Sequence, residues 1–349
     1  MVGAGLVGLA TACSLTARGH DVVVLETATV GHLGAGSKGA TRVFRRGYDD
    51  ALYVRMAMAA QPLWADLERV SGRALLTPTD QVSFARDLGP LEDAMRAAGA
   101  QVERMARADA QRRFPAFAVS GDALFEPDSA VIDAAETLAA LRSQLGARVV
   151  EGARVRALVE SGGGVTVEAG EQSVDAAVVV VCAGPHTAQL VPIAPTVATL
   201  EHLAYFRPTS GALPPMPIFI EHTDHAVYGL PTPSLGAYKL AFHHGGHAID
   251  PDRSSREPQP AAIDALREAA RRWLRGFDSE PVAVETCIYD NTPSADFVLD
   301  RRGRILVGAG TSGHGFKFGP LFGEILADLA TDRTPAFPVD RFAASWRIP

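Results

Sequence analysis

Gly3-Ala-Gly5-Leu-Val-Gly8 is the stretch whose reading decides the fold. It opens a helical pattern that runs to about Arg18, and the strand-like run Asp21-Val-Val-Val-Leu-Glu26 follows. A Gly-x-Gly-x-x-Gly turn opening a helix, with an acidic residue ending the next strand, is the arrangement that binds a dinucleotide. Gly3 permits the tight turn, Gly5 lets the backbone approach a pyrophosphate, and Gly8 lets helix and strand pack closely. Leu6 and Val7 begin the helix, whose unpaired N–H groups and positive dipole end face the phosphates. Glu26 lies 18 residues past Gly8, close to the roughly 20 expected of a carboxylate that accepts from a ribose hydroxyl. On its own the motif also reads as an ordinary glycine-rich β–α turn. The strand expected before Gly3 is reduced to Met1-Val2; about four more apolar residues upstream would make one of usual length.

Composition narrows the class. A chain of 349 residues with 47% hydrophobic content buries a substantial core and has room for two domains. The net charge of −7, without a long basic run, argues against a nucleic-acid surface. No apolar run approaches the roughly 18 residues that would span a membrane, and no cleavable leader is evident. The three cysteines, Cys13, Cys182 and Cys287, lack the close spacing of a disulfide framework or zinc site. No metal is expected, and the reducing cytoplasm is the expected compartment.

Beyond Glu26 a glycine-rich loop, Gly31-His-Leu-Gly34-Ala-Gly36-Ser37-Lys38-Gly39-Ala-Thr41-Arg42, leads into Val43-Phe44-Arg45-Arg46-Gly47-Tyr48. Its scarcity of side chains lets it lie against a flat ligand. Four cations within residues 38–46 of an acidic protein suggest an anion nearby, with a solvated basic turn as the plain alternative. Helices are expected over 52–70, 91–98, 108–114 and 261–275, and one beginning at 129–133 and ending near 145. Strands are expected over 21–26, 81–84, 148–150, 155–159, 164–168, 176–182, 282–289 and 304–310, with short strands between 218 and 244. The uniformly apolar 176–182 reads as a strand buried on both faces. It ends in the glycine turn Ala183-Gly184-Pro185, at the strand end where ligands sit in α/β sheets. The proline-rich 192–217 reads as a crossing between domains. A third glycine turn ends at Gly310, and Gly313-His-Gly315-Phe316-Lys317-Phe-Gly-Pro320 opens a last helix.

Three stretches together resemble the monomeric sarcosine oxidase and N-methyltryptophan oxidase family of flavoenzymes: Gly36-Ser-Lys-Gly-Ala-Thr-Arg42-Val-Phe-Arg45; Tyr238-Lys239-Leu-Ala-Phe-His243; and Cys287-Ile-Tyr289 with Gly313-His-Gly-Phe-Lys317-Phe. The similarity runs through nearly the whole chain. It implies an α/β fold: a glutathione-reductase-like FAD domain with a central parallel sheet (1–77, 129–198 and 290–349), interleaved with an antiparallel-sheet substrate domain (78–128 and 199–289). It implies FAD, carried covalently by Cys287 as an 8α-thioether. A tether needs a thiolate near the ring and positive charge to stabilise it; judged alone, Cys287 reads as a small buried hydrophobe. Lys239 is implied beside the flavin, promoting reaction with oxygen by stabilising developing negative charge. His243 falls on the same strand face as Lys239 and is implied to face substrate, as is Tyr289. Arg45 and Lys317 are implied to hold a substrate carboxylate, one as a planar fork and the other as a point charge. Arg42 is implied near the ring. Ser37, Lys38, Thr41, Val155, Gly184, Gly310, Gly313, Gly315 and Phe316 complete the implied cofactor contacts.

Two departures stand out. Lys38 occupies a position where the family often has His, and Arg46-Gly-Tyr48 replaces the usual His-Ala-Tyr-Gly. They bear on substrate identity more than on reaction type. The reading is an FAD-dependent oxidase of secondary (N-methyl or cyclic) amino acids that makes an imine and hydrogen peroxide. The expected partners are a small amino acid and oxygen, without nucleic acid or membrane, and the expected state is a monomer. The alternatives are a flavin dehydrogenase using another acceptor and a flavin-binding protein without turnover.

Overall fold

The computed structural model describes residues 1–222 and 226–346. Its first element is the helix Leu6–Ala17, apolar nearly all round, as a helix covered on several sides must be. Val2 forms parallel bridges with Leu25 on one side and Val181 on the other. It thereby joins two strand pairs into one parallel sheet: Val149–Val150 with Val24–Leu25, and Val179–Val181 with Ile305–Ala309. The antiparallel strand Val298–Arg302 closes its edge. The last helix, Gly319–Ala330, packs on the first at two glycines. A Cβ on Gly319 would meet Leu6 at 2.6 Å, and one on Gly323 would meet the Ala10 backbone at 2.8 Å. Both pairs are spaced four residues apart, the repeat at which one helix face meets another. A three-stranded antiparallel meander, Val155–Glu160, Val165–Ala169 and Gln172–Ala176, lies alongside.

The second body is a ten-stranded sheet. From one end of its main path lie His247–Ala248, Val197–Phe206, Ala237–Phe242, Val227–Thr232, Ile218–His222, Leu76–Ala85, Ala123–Asp133 and Thr41–Phe44. Ala283–Asn291 pairs with Val197–Phe206, and Glu103–Met105 with Ala123–Asp133. Pairing is antiparallel except between Ile218–His222 and Leu76–Ala85. The helix Pro260–Trp273 covers it through Leu266, Ala269, Ala270 and Trp273, against Phe84, Phe117, Phe219 and Tyr238.

Three expectations need correction. Residues 129–133 end the strand Ala123–Asp133, and the helix Ala134–Leu145 starts only after them. Asp133 marks the change, because its carboxylate accepts from the Glu136 N–H at 2.8 Å, the bond of a helix N-cap. Within the proline-rich 192–217 lies the ten-residue strand Val197–Phe206, whose Leu-x-x-Leu-Ala-Tyr-Phe core is buried between neighbours on both sides; the prolines flank it. The apolar run 176–182 is two strands: Ala176 ends the meander, and only Val179–Val181 enters the parallel sheet. The short strand Val298–Arg302 carries charged residues and has no sequence signature of burial. Among the described residues no helix is long and apolar enough to cross a membrane.

Among the described glycines, the tightest approach to backbone atoms is at the first turn. A Cβ on Gly8 would lie 2.1 Å from the Gly3 carbonyl oxygen, and one on Gly3, at φ +94°, 2.4 Å from that of Cys182. Both neighbours are backbone and cannot swing aside. Gly8→Ala is therefore expected to cost about 1–3 kcal/mol, read as a lowered Tm in thermal unfolding; an unchanged Tm would show that the turn yields freely.

Candidate active site

The first helix begins at an N-cap, Gly5, that supplies no side-chain cap, and its first turn holds no acid. Its N-terminal N–H groups are left to neighbours and ligands. The Leu6 N–H donates to Ser37 Oγ at 3.0 Å, which fixes the glycine-rich loop over the helix start. Glu26 is buried, and its carboxylate accepts from the Ala4 N–H at 2.7 Å and the Ala28 N–H at 3.1 Å. It braces both flanks of the turn and retains lone pairs for a hydroxyl.

Three cavities adjoin here. The first is lined by Val2, Gly3, Leu25, Ala153, Arg154, Val155 and His186 among others, and it shares Glu26, His32 and Ala183 with the second. The second passes Gly5, Leu6, Val7, Gly36, Ser37, Gly184, Cys287 and Gly315. It shares Arg42, Tyr289, Gly313 and Phe316 with the third. The third is closed by Thr41, Arg45, Ile220, His222, Tyr228, Lys239, His243, His314 and Lys317. The track therefore starts at the acidic end of the second strand, crosses the helix N-terminus and ends in a cationic chamber.

The cations in the chamber are held by backbone oxygen. Thr41 is the hub: its carbonyl accepts from Arg42 Nη1 at 2.9 Å and from Lys239 Nζ at 3.0 Å. Arg42 also donates to the Lys38 carbonyl, and its guanidinium carbon lies 5.4 Å from the centre of the Phe316 ring. Lys239 is 2% exposed. Burial, with Arg42 adding to it, pulls its pKa down to about 7. Lys317 Nζ donates to the Tyr48 hydroxyl at 2.8 Å and the His314 carbonyl at 2.7 Å. Burial and then Arg45 hold its pKa well below the ordinary lysine value. Arg45 lies over Tyr48, its guanidinium carbon 4.1 Å from the ring centre, and its Nη1 is buried with no hydrogen-bond partner among the described residues. His243 Nδ1 is 3.4 Å from the Tyr289 hydroxyl; burial, reinforced by His244 and other cationic neighbours, lowers its pKa to about 2. Among the described residues no Asp or Glu lines this chamber.

The residues expected from sequence divide as follows. Arg42, Arg45, Thr41, Lys239, His243, Tyr289, Gly313, Phe316 and Lys317 meet in the chamber. Gly5, Leu6, Val7, Glu26, Ser37, Gly184, Cys287 and Gly315 line the middle of the track, and Gly3 and Val155 its far end. Gly8, Lys38 and Gly310 line none of the three. Gly8 packs on Gly3, and Gly310, at φ +62°, gives its N–H to Asp290 at 2.7 Å. Sequence reasoning missed Tyr228, His222 and His314. Tyr228 and His222 sit on short strands whose polar–apolar alternation is visible only once the neighbouring strands are known. His314 stands inside the quoted Gly-His-Gly block, and a histidine between two turn glycines was an available signal; its Nδ1 meets the Tyr48 hydroxyl at 3.0 Å.

The Cys287 environment is mixed. Burial raises its pKa, while Arg42 and then Lys239 pull it down. The positive charge a thiolate needs is thus at hand, though without a ligand the thiol keeps its proton.

An elongated track with a glycine cradle at one helix N-terminus, a buried acid at one end and a cationic chamber at the other fits a flavin dinucleotide. Gly36 is part of that cradle: a Cβ there would already meet the Ile288 carbonyl oxygen at 3.2 Å. The site thus defines a dinucleotide-dependent redox protein. The family model described as FAD dependent oxidoreductase matches residues 1–329, and the chain belongs to that family. It is 31% identical to the human peroxisomal sarcosine oxidase, over 99% of this chain and 95% of that protein. It is 30% identical to the monomeric sarcosine oxidase of Streptomyces avermitilis, over 98% and 95%. Among solved structures, NikD, an unusual amino acid oxidase essential for nikkomycin biosynthesis, superposes in its open form with a TM-score of 0.87 at 27% identity, covering 100% of this chain and 97% of that one. The protein is an FAD-dependent oxidoreductase related over its whole length to amine oxidases.

The lowered Lys239 pKa has a consequence for stability. Between pH 7 and the ordinary lysine value of 10.5, the unfolded chain holds a proton that the folded chain has released, so stability rises with pH across that window. Each pKa unit corresponds to about 1.4 kcal/mol. Urea unfolding of cofactor-free protein at about pH 7 and about pH 9.5 should show a rise that Lys239→Met reduces. Equal rises in both proteins would mean that Lys239 titrates normally.

Proposed function

We propose that the protein is an FAD-dependent oxidase of secondary amino acids, N-methyl or cyclic, which converts the C–N bond to an imine and passes the electrons to oxygen to give hydrogen peroxide. The observation that carries this reading is the Arg45 guanidinium over Tyr48, its Nη1 without a partner among the described residues, next to Lys317 in a chamber whose described wall holds no carboxylate. Such a pair calls for an anion, and an amino-acid carboxylate supplies one. Bound FAD would supply the hydride or electron acceptor, held by the Gly3 turn, Glu26, Ser37 and the Gly313–Gly315 loop. Cys287 is the residue proposed to carry it covalently. The segments 1–77, 129–198 and 290–349 are proposed as the FAD-binding domain, and 78–128 with 199–289 as the substrate domain. The relatives' names support a small-molecule substrate and a monomer, and the three free cysteines suit a reducing cytoplasm.

The chain's own residues do the following. Arg45 and the remaining N–H of Lys317 grip the carboxylate. Because burial and Arg45 disfavour the charged lysine, carboxylate binding restores that charge and takes up a proton. The surrounding cations disfavour a protonated amine, so the substrate is held with its nitrogen lone pair free. No residue is placed as a strong general base: His243 is neutral and bonded to Tyr289. Lys239, fixed by the Thr41 carbonyl, offers the charge that stabilises electron transfer to oxygen.

The test is an anaerobic titration of the yellow protein with a panel of N-methyl and cyclic amino acids. Bleaching is expected with at least one, and acid precipitation should leave the colour with the polypeptide. No bleaching by any of them would favour a flavin-binding protein without turnover. Lys239→Met should slow reoxidation by oxygen by about a hundredfold or more while leaving anaerobic reduction nearly intact; unchanged reoxidation would favour a dehydrogenase with another acceptor. Arg45→Gln should raise KM by roughly ten- to a hundredfold, the loss of a charge-assisted hydrogen-bonded contact; an unchanged KM would remove Arg45 from the carboxylate grip.

A further inference from the structure

The chamber holds more unsatisfied polar capacity than one carboxylate uses. Ile220 and His222 lie on the same face of the strand Ile218–His222, and both enter the chamber wall with Arg45, Tyr228 and Lys239. His222 Nε2 is buried and, like Arg45 Nη1, has no hydrogen-bond partner among the described residues. A buried polar atom left without a partner is costly, and two such atoms on residues that line one chamber mark a place for a ligand group. Around them the wall carries Arg42, Arg45, Lys239 and Lys317 and, among the described residues, no acid.

The geometry points to His222 as a specificity-determining residue: with Arg45 Nη1 it receives an oxygen acceptor on the substrate's side chain, so that the preferred secondary amino acids are acidic ones carrying a second carboxylate. This inference rests on the proposed oxidase reading and names its substrate class. The grip on the α-carboxylate uses Lys317 and one edge of the Arg45 fork. A guanidinium has five N–H donors in a plane, two of them on Nη1, so that one can serve the α-carboxylate and the other a second oxygen. His222 reaches the same chamber wall from the strand Ile218–His222. Burial, and then the Arg45 charge, lower its pKa to about 3, so the ring is neutral and acts as a directional N–H donor. Val43, Ile220 and Ala226 add apolar lining to the chamber, against which the methylene of an aspartate-like side chain would pack. A neutral N-methyl group alone would leave both atoms unsatisfied. An apolar side chain would bury them without compensation.

The experiment measures binding to the holoenzyme by calorimetry under anaerobic conditions, with N-methylaspartate, sarcosine, and N-methylleucine as an apolar ligand of similar bulk. Wild type is expected to bind N-methylaspartate about tenfold or more tightly than either of the others, the gain of a hydrogen bond between a buried donor and a charged oxygen. His222→Leu should abolish that preference while leaving sarcosine affinity within about twofold, and His222→Gln, which keeps a donor, should retain most of it. Wild type binding sarcosine or N-methylleucine as tightly as N-methylaspartate overturns the inference. So does a His222→Leu variant that weakens all three ligands alike, because that marks a structural role. Flavin bleaching in the same samples separates the two readings: an affinity preference without bleaching by any ligand upholds the acidic site and sinks the oxidase, whereas bleaching by sarcosine without the preference does the reverse.

Discussion

Four cationic heads share one chamber whose wall, among the described residues, contains no carboxylate, and the rest of the site follows from how that charge is tolerated. Taking a cation out of water is expensive unless oxygen replaces its hydration. Here backbone carbonyls and a phenol do so. The Thr41 carbonyl serves both Arg42 and Lys239, while the His314 carbonyl and Tyr48 hydroxyl serve Lys317. These groups carry partial charges, so they offset part of the cost and leave a net positive field. Burial first, and then the neighbouring cations, hold both lysines below their ordinary pKa and keep His243 neutral. A ligand that brings negative charge is therefore built into the arrangement.

The topology explains how residues so far apart in sequence meet. Arg42 and Arg45 come from the strand Thr41–Phe44 and its exit, on one edge of the ten-stranded sheet. Lys239 comes from the sheet interior, and Tyr289 from the strand paired with Val197–Phe206. Lys317 comes from a short 3-10 turn leading into the last helix, whose packing against the first helix is set by Gly319 and Gly323. The chamber is thus a joint between the parallel sheet with its helices and the larger sheet. Its dinucleotide end is fixed by the same first helix, and a rigid relation between the two ends requires the close glycine contacts seen there.

Legibility from sequence followed locality. The Gly3 turn, the Glu26 acid and the cationic loop 38–46 are encoded within short windows, and each lies at or beside the track. The helix over Ala51–Ser71 was legible for the same reason: Asp50 caps it, accepting from the Leu52 N–H, and Gly72 ends it in the left-handed region. What was hidden depends on pairing between distant strands. Residues 129–133 look helical because a helix follows immediately, yet their partners are 41–44 and 76–79, and those pairings make them strand. Tyr228 and His222 likewise carry no local mark. Their orientation is set by register with Ala237–Phe242 and Leu76–Ala85, which no window on the sequence contains.

The departure at Arg46-Gly47-Tyr48 acquires a physical meaning from what lies behind it. Glu126, 3% exposed, accepts from the Arg46 N–H at 2.6 Å and the Gly47 N–H at 2.9 Å. A side chain at position 47 would be tight there, since a Cβ would meet the Glu126 carboxylate at 3.1 Å and the Gln81 amide at 3.3 Å. The Arg46 side chain turns away to Asp128, at 2.7 Å, and to Gln61. It therefore adds nothing to the chamber's charge, although it stands next to Arg45 in the chain. Burial raises the Glu126 pKa, while the two N–H groups and Arg45 work the other way. Its carboxylate thus clamps the backbone from behind, and Tyr48 is carried forward as the platform on which Arg45 lies. The local change in sequence keeps the guanidinium over the Tyr48 ring with Nη1 unpartnered among the described residues, and the two N–H groups of that nitrogen can address two oxygens.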